Sequence, residues 1–268
     1  MKVLVVGNIF KDVYLNIDNR TENFEIDEDG VKWLDIGFNT SEHRFFSRNS
    51  SFGGSVISLE ILGNMKQNVS YHRDDVSFGE DGIEYSTDLL ADLYRYILIS
   101  DEQVAYFAPS FEKETVFEAP NEPVDCVFID RSANLEDSRA ILKYLDAYPR
   151  TKLVVHLKKM PASDALLELA RRTDLVFVED RALDFNHQNI VYLGENKIKY
   201  QGITESFATP RANLMTHLSI YSILAATILG GLLLEYPVEK CLKFAKTNVE
   251  NSSLDACLSL DRLEELSA

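Results

Sequence analysis

Residues 209–234 read TPRANLMTHLSIYSILAATILGGLLL, and the choice between a membrane span and a buried helix there decides the class of the whole chain. From 216 to 234 the run of 19 residues carries no charge apart from the titratable His217. That length approaches the roughly 20 apolar residues that a span needs. Ser219, Ser222, Thr227 and the Gly230-Gly231 pair dilute it, however, and no Lys/Arg cluster flanks it. The stretch is therefore read as a helix buried on all sides of a large domain, broken after Leu234 by Glu235-Tyr236-Pro237. The N-terminus of such a helix presents unbonded N–H groups to an anion, and Ser219, Ile220, Tyr221 and Ser222 are the residues expected at that end.

Working outward, the bulk properties agree with that reading. The 268 residues are 46% hydrophobic, enough for one sizeable core, and residues 1–268 are read as a single domain. A formal net charge of −16 argues against a nucleic acid partner, which calls for clustered Lys and Arg. Small phosphates are still compatible, because backbone N–H groups hold them without net positive charge. Cys126, Cys241 and Cys257 have no CxxC spacing and read as reduced thiols. The N-terminal MKVLVVGNIFKD is too short an apolar run for a signal peptide and reads as a first strand. A cytoplasmic protein with no membrane partner is expected.

The rest of the chain falls into two kinds of segment. Residues 3–9, 124–129, 152–157, 175–178 and 190–193 are short apolar, β-branched runs, as in strands buried on both faces of a parallel sheet. Helical patterns at 55–65, 135–148, 163–172 and 238–251 alternate with them, and this rhythm predicts an α/β fold with helices on both faces of the sheet. Between the core segments lie half-polar runs. Residues 24–27 and 31–36 flank Glu28-Asp29-Gly30, and 96–100 and 104–107 flank Asp101-Glu102-Gln103, two hairpin signals. These are assigned to a small β-sheet flap inserted at about 13–45 and 95–118. Residues 45–52 read as a loop, 81–94 as an acidic amphipathic helix, and the chain end as a short acidic tail.

Few motifs carry chemistry. There is no GxxxxGK[ST], GxGxxG or HExxH, and the histidines are scattered without ligand spacing, so no metal site is expected. Asp12 lies just past the first strand, at the carboxyl edge where parallel sheets bind ligands. Gly53-Gly54 opens a helix and lets backbone approach a ligand closely.

Together, Val5-Val6-Gly7-Asn8-Ile9-Phe10-Lys11-Asp12, the flap strands, Gly53-Gly54 and the late helix Val238-Glu239-Lys240-Cys241-Leu242-Lys243-Phe244-Ala245 resemble the PfkB/ribokinase family of sugar and nucleoside kinases. The resemblance implies a ribokinase-like three-layer core, a mostly parallel central sheet and a β-sheet lid. It places Asp12, Gly53 and Gly54 at the hydroxyl groups of a small sugar, polyol or nucleoside, and it allows a homodimer through the lid. The family's signature, a Gly-Ala-Gly-Asp run whose Asp takes the proton from the attacking hydroxyl, is missing. Counting back from Pro237 puts Ser219-Ile220-Tyr221-Ser222 there, with Ser222 at the position of the base, and no Asp or Glu occurs between Ser206 and Leu234. The family's Asn-x-x-Glu falls at Glu179-Asp180-Arg181-Ala182, its nucleotide turn keeps only Gly194, and the Asn beyond the double glycine is Ser58.

These departures imply a family homologue that lacks ordinary phosphotransfer and binds a small molecule. An active kinase with a relocated base, drawn from Asp180, Asp184 or Asp255 and requiring Mg-ATP, is the second reading. A structural or assembly role, with Tyr221 and its neighbours closing the pocket, is the third.

Overall fold

The computed structural model describes residues 1–16, 24–26, 32–34, 48–72, 76–79, 82–85, 93–99, 104–107, 114–158, 163–179, 187–194, 196–208, 214–251 and 257–267. The chain opens with β1 (Lys2–Val6), β2 (Ile9–Asn16), β3 (Phe24–Ile26), β4 (Lys32–Leu34), β5 (Arg48–Gly54) and α1 (Ser55–Asn64). There follow β6 (Asn68–Tyr71), β7 (Val76–Gly79), β8 (Gly82–Tyr85), β9 (Leu93–Ile99) and β10 (Val104–Phe107). The second half runs β11 (Cys126–Ile129), α2 (Arg139–Ala147), β12 (Lys152–Leu157), α3 (Asp164–Arg171), β13 (Leu175–Glu179), β14 (Ile190–Leu193), β15 (Lys197–Tyr200) and β16 (Ile203–Ser206). It ends in α4 (Leu214–Leu233), α5 (Val238–Asn251) and α6 (Leu260–Leu266).

Eight strands form the central sheet in the order β16-β15-β14-β13-β12-β11-β1-β6. The pairs from β6 to β14 are parallel, and β15 and β16 close one edge as antiparallel strands. The strands KVLVV, CVFI and LVFVE are apolar at nearly every position because both faces are covered. One face packs Val3, Val5, Phe128 and Phe177 against α1, α4, α5 and α6. The other packs Leu4, Ile129, Val155 and Val176 against α2 and α3. The result is the expected three-layer α/β core. Alternation sends successive side chains of each strand to opposite layers.

A second sheet, in the order β10-β9-β2-β5, forms the flap. β2 is antiparallel to β5 and parallel to β9, and β9 is antiparallel to β10. The two hairpins expected around residues 28–30 and 101–103 are present as β3–β4 and β9–β10. Flap strands begin directly at Ile9 and at Leu93.

Three local expectations are corrected. Residues 48–54 are strand rather than loop, since the backbone pairs with β2 from Ile9↔Gly54 to Leu15↔Arg48. The expected acidic helix at 81–94 is instead β8 at one end and the start of β9 at the other. Gly79-Glu80-Asp81-Gly82 is a turn signal between β7 and β8, and Ile83 and Tyr85 are better suited to strand than to helix. The acidic tail is α6, capped by Ser259, whose hydroxyl accepts from the Arg262 N–H at 3.4 Å. Ser163 caps α3 in the same way, as read from the sequence.

The long apolar helix is buried as expected, with Leu224, Ala225, Ala226, Thr227 and Ile228 fully enclosed. Among the described residues, no helix is long and apolar enough to cross a membrane. α4 starts at Leu214, which corrects the placement of its N-terminal end. Leu214, Met215 and Leu218 extend the apolar pattern upstream, so Ser219-Ile220-Tyr221-Ser222 lie inside the helix. Eight residues at 1.5 Å each put Ser222 about 12 Å along the axis from the first helical residue.

Gly230 and Gly231 let this helix approach its neighbours. A Cβ on Gly230 would stand 2.6 Å from Met65 Sδ, and one on Gly231 would stand 2.8 Å from Cys241 Sγ. Gly230→Ala is expected to cost about 1–3 kcal/mol by overpacking the α1–α4 contact. In a double-mutant cycle measured by denaturant unfolding, pairing it with Met65→Ala should cost less than the sum of the two single changes.

Candidate functional site

The carboxyl ends of β1, β11, β12 and β13 meet at one edge of the central sheet, where open parallel sheets bind ligands. Two of these strands are followed by polar residues at once, Gly7-Asn8 after β1 and Asp130-Arg131-Ser132 after β11. On the side of β1, Asp130 is 1% exposed. One carboxylate oxygen accepts from Ser58 Oγ, and the other accepts from the Ser132 N–H at 2.8 Å and the Ser132 hydroxyl at 2.6 Å. Ser132 Oγ in turn lies 2.9 Å from Ser55 Oγ and accepts from the Asn8 N–H at 3.1 Å. Ser58, at the place the family resemblance gives to an Asn, thus supports a buried carboxylate.

On the side of β13, Arg131 forks onto Glu179, with Nε donating to one oxygen and Nη2 donating to the other at 2.9 Å. The guanidinium also lies 5.4 Å from the centre of the Tyr221 ring on α4, a cation–π distance. His156 Nε2 is 3.3 Å from Glu179 Oε1, and the His156 ring rests on Phe177, 5.9 Å between centres. Burial alone would push the Glu179 carboxyl up, but the His156 ring and the Arg131 guanidinium outweigh it and hold the group down at about 2.

Ser222 is buried at 3% exposure within α4, one residue on from the half-buried Tyr221. A neutral hydroxyl in a helix interior is a poor acceptor for a substrate proton. The two described carboxylates at this edge are also committed. Asp130 is enclosed by its donors, and Glu179 is held ionised by an arginine. Mg-ATP chemistry, which the family resemblance implies, needs free carboxylates, and Asp130 and Glu179 do not supply them. Asp180, Arg181, Ala182, Asp184 and Asp255 lie outside the described residues. No cluster of three or more His, Cys, Asp or Glu side chains suited to a metal occurs among the described residues.

Asp12 and the double glycine come together through backbone pairing. Asp12 of β2 stands opposite Ser51 of β5 and Arg95 of β9, while Phe10 stands opposite Gly53 and Ile9 opposite Gly54. Asp12 therefore belongs to the flap rather than to a loop beyond β1. Gly54 precedes α1 with φ 69°, ψ −132°, a region that side-chain-bearing residues avoid. Gly194 lies apart, in the β14–β15 hairpin, where its N–H donates to the Lys197 carbonyl at 2.8 Å. Asp130, Arg131 and His156 were not singled out in the sequence. The available signal was the polar triplet Asp130-Arg131-Ser132 set directly behind the buried strand CVFI. Cys126, Cys241 and Cys257 form no disulfide, and burial pushes the thiol of Cys126 up to about 12 and that of Cys241 up to about 11.

This three-layer core with a flap is the ribokinase-like fold. The ribokinase of Arabidopsis thaliana, solved with ribose and ATP, superposes with a TM-score of 0.64 at 12% identity over 99% of this chain and 98% of that one. The nucleoside kinase of Methanocaldococcus jannaschii gives 0.61 at 16% identity over 99% and 97%. That of Burkholderia thailandensis, solved with inosine, gives 0.63 at 8% identity over 100% and 97%. No protein-family model matches the sequence, and no curated protein matches it either.

Replacing Arg131 by Met should leave Glu179 as a buried charge facing only His156 and destabilise the protein by about 2–4 kcal/mol near neutral pH. The sign with pH follows from Glu179. Its lowered folded pKa stabilises the native protein above about pH 4.3 and is lost as pH falls toward 2. In Arg131→Met only His156 is left to hold the carboxyl down against burial, so less of this stability is present above about pH 4.3 and less is lost as pH falls. Urea unfolding at pH 7 and pH 4 should therefore show the gap between the two proteins narrowing at the lower pH.

Proposed function

We propose that this chain is a divergent member of the PfkB/ribokinase family that binds a small sugar, polyol or nucleoside between flap and carboxyl edge without transferring phosphate. The observation that carries this reading is the missing base. No Asp or Glu occurs between Ser206 and Leu234, the stretch that holds the start of α4 where the resemblance puts a catalytic Asp, and the Arg131 beside Tyr221 is already forked onto Glu179. Binding is assigned to Asp12, Gly53 and Gly54. They lie on adjacent flap strands, with Asp12 two positions of register from the Phe10↔Gly53 pair, about 7 Å along the strand. The solved neighbours named for ribose and inosine support a ligand of that chemical class.

The test is a thermal-shift titration with a sugar, polyol and nucleoside panel, run with and without Mg-ATP, beside a phosphoryl-transfer assay on the same panel. A bound ligand at a hundred times its dissociation constant adds about 2.7 kcal/mol. For a chain of this size that raises the midpoint by about 5–10 °C. The expected outcome is a shift with a sugar or nucleoside, its loss in Asp12→Ala, its persistence in Ser222→Ala, and no phosphate transfer. Turnover with Mg-ATP that disappears on removing an acidic residue overturns the reading in favour of a kinase with a relocated base. No shift with any ligand, on a stable oligomer, overturns it in favour of an assembly role.

A further inference from the structure

We propose that Gly7-Asn8 is a single articulation through which both excursions of the chain into the flap are fastened to the core, with Asn8 as its positioning residue. The chain leaves the central sheet after β1, returns at Gly54-Ser55, leaves again after β6 and returns ahead of β11 through residues 114–117. Each of these passages is bonded to residue 7 or 8. At the first return, the Ser55 N–H donates to the Asn8 carbonyl at 3.1 Å. At the second departure, the Tyr71 hydroxyl donates to the Gly7 carbonyl, and His72 Nε2 lies 3.0 Å from the same oxygen. At the second return, Thr115 Oγ1 donates to Asn8 Oδ1 at 2.9 Å and accepts from the Asn134 N–H at 2.9 Å. The Asn8 N–H donates to Ser132 Oγ, which Asp130 holds from below.

Asn8, Ser55, His72, Thr115 and Ser132 are all buried, so these groups exchange solvent for one another and fix position more sharply than apolar packing would. The knot also explains why residue 7 is Gly, because a Cβ there would overlap Ser55 Oγ and Ser132 Oγ. The two excursions are remote in sequence, and β2–β9 pairing joins them only beyond the knot. Asn8 joins them at the base, so a displacement at one passage is transmitted to the others. Asp12 lies four residues beyond Asn8, and Gly53-Gly54 directly precede Ser55. The consequence for ligand placement rests on the binding reading above, whereas the articulation itself does not.

Hydrogen–deuterium exchange on the unliganded protein tests it. Thr115→Val keeps the shape of the side chain and removes the hydroxyl that reaches Asn8. Exchange in β2, β5, β9 and β10 should quicken together by about threefold to tenfold, the effect of one lost neutral hydrogen bond on local opening. Exchange in β12, β13 and α5 should stay unchanged, and Thr115→Ser should restore the native rates. Quickening confined to 114–120 and β10, quickening spread equally over the core strands, or no rescue by Ser would each overturn the proposal. Should the Val variant fail to fold, Ser132→Ala is read by the same pattern. No ligand is present, so failure here leaves the binding reading standing, and a flat thermal-shift panel leaves the articulation standing.

Discussion

A carboxylate taken out of water must be matched by donors or it destabilises the fold by several kcal/mol, and Asp130 meets that constraint at the centre of this structure. Three donors from Ser58 and Ser132 surround it, so α1 and the end of β11 are held to one buried group. Through Ser132 the same group reaches Asn8 and Ser55, and with them the roots of β2 and β5. The flap is thus tied to the core by a polar chain that starts at a single side chain. Replacement by an apolar residue of similar shape would leave these three buried donors to be satisfied elsewhere.

The core was legible because its signal is local and redundant. The inner parallel strands are short runs rich in apolar and β-branched residues, the helices α2 and α3 between them carry apolar stripes, and Ser163 fixes the start of α3. The flap was legible only where turn chemistry was strong. Its longer strands were missed in part because half-polar segments such as Arg48–Gly54 become strands through pairing with a distant partner, not through their own composition. The start of α4 was misplaced for a different reason. Counting back from Pro237 gives a position in sequence, whereas the helix begins wherever the apolar pattern allows, here at Leu214.

The candidate site was legible as a place and not as a set of contacts. Asp12 and Gly53-Gly54 were singled out from their position after a first strand and before a helix, and their strands prove to be neighbours. The ion pair of Arg131 with Glu179 could not be read, since its partners are 48 residues apart and nothing in either local pattern names the other. Charge explains why it persists. Glu179 sits at the end of a buried strand, 6% exposed, and the adjacent guanidinium turns an expensive lone charge into a neutral pair beside His156.

The glycines of α4 show where backbone openness is still needed. Gly230 and Gly231 remain, each at a point where a Cβ would meet Met65 or Cys241, although glycine in a helix interior costs about 1 kcal/mol relative to alanine. No glycine occurs between Gly202 and Gly230, so none stands in the sequence just ahead of Leu214, where the free N–H groups of a helix start lie and where the family resemblance expects glycines around a phosphate. Glycine in this helix is therefore kept where the approach of Met65 and Cys241 leaves no room for a Cβ, and nowhere else along it.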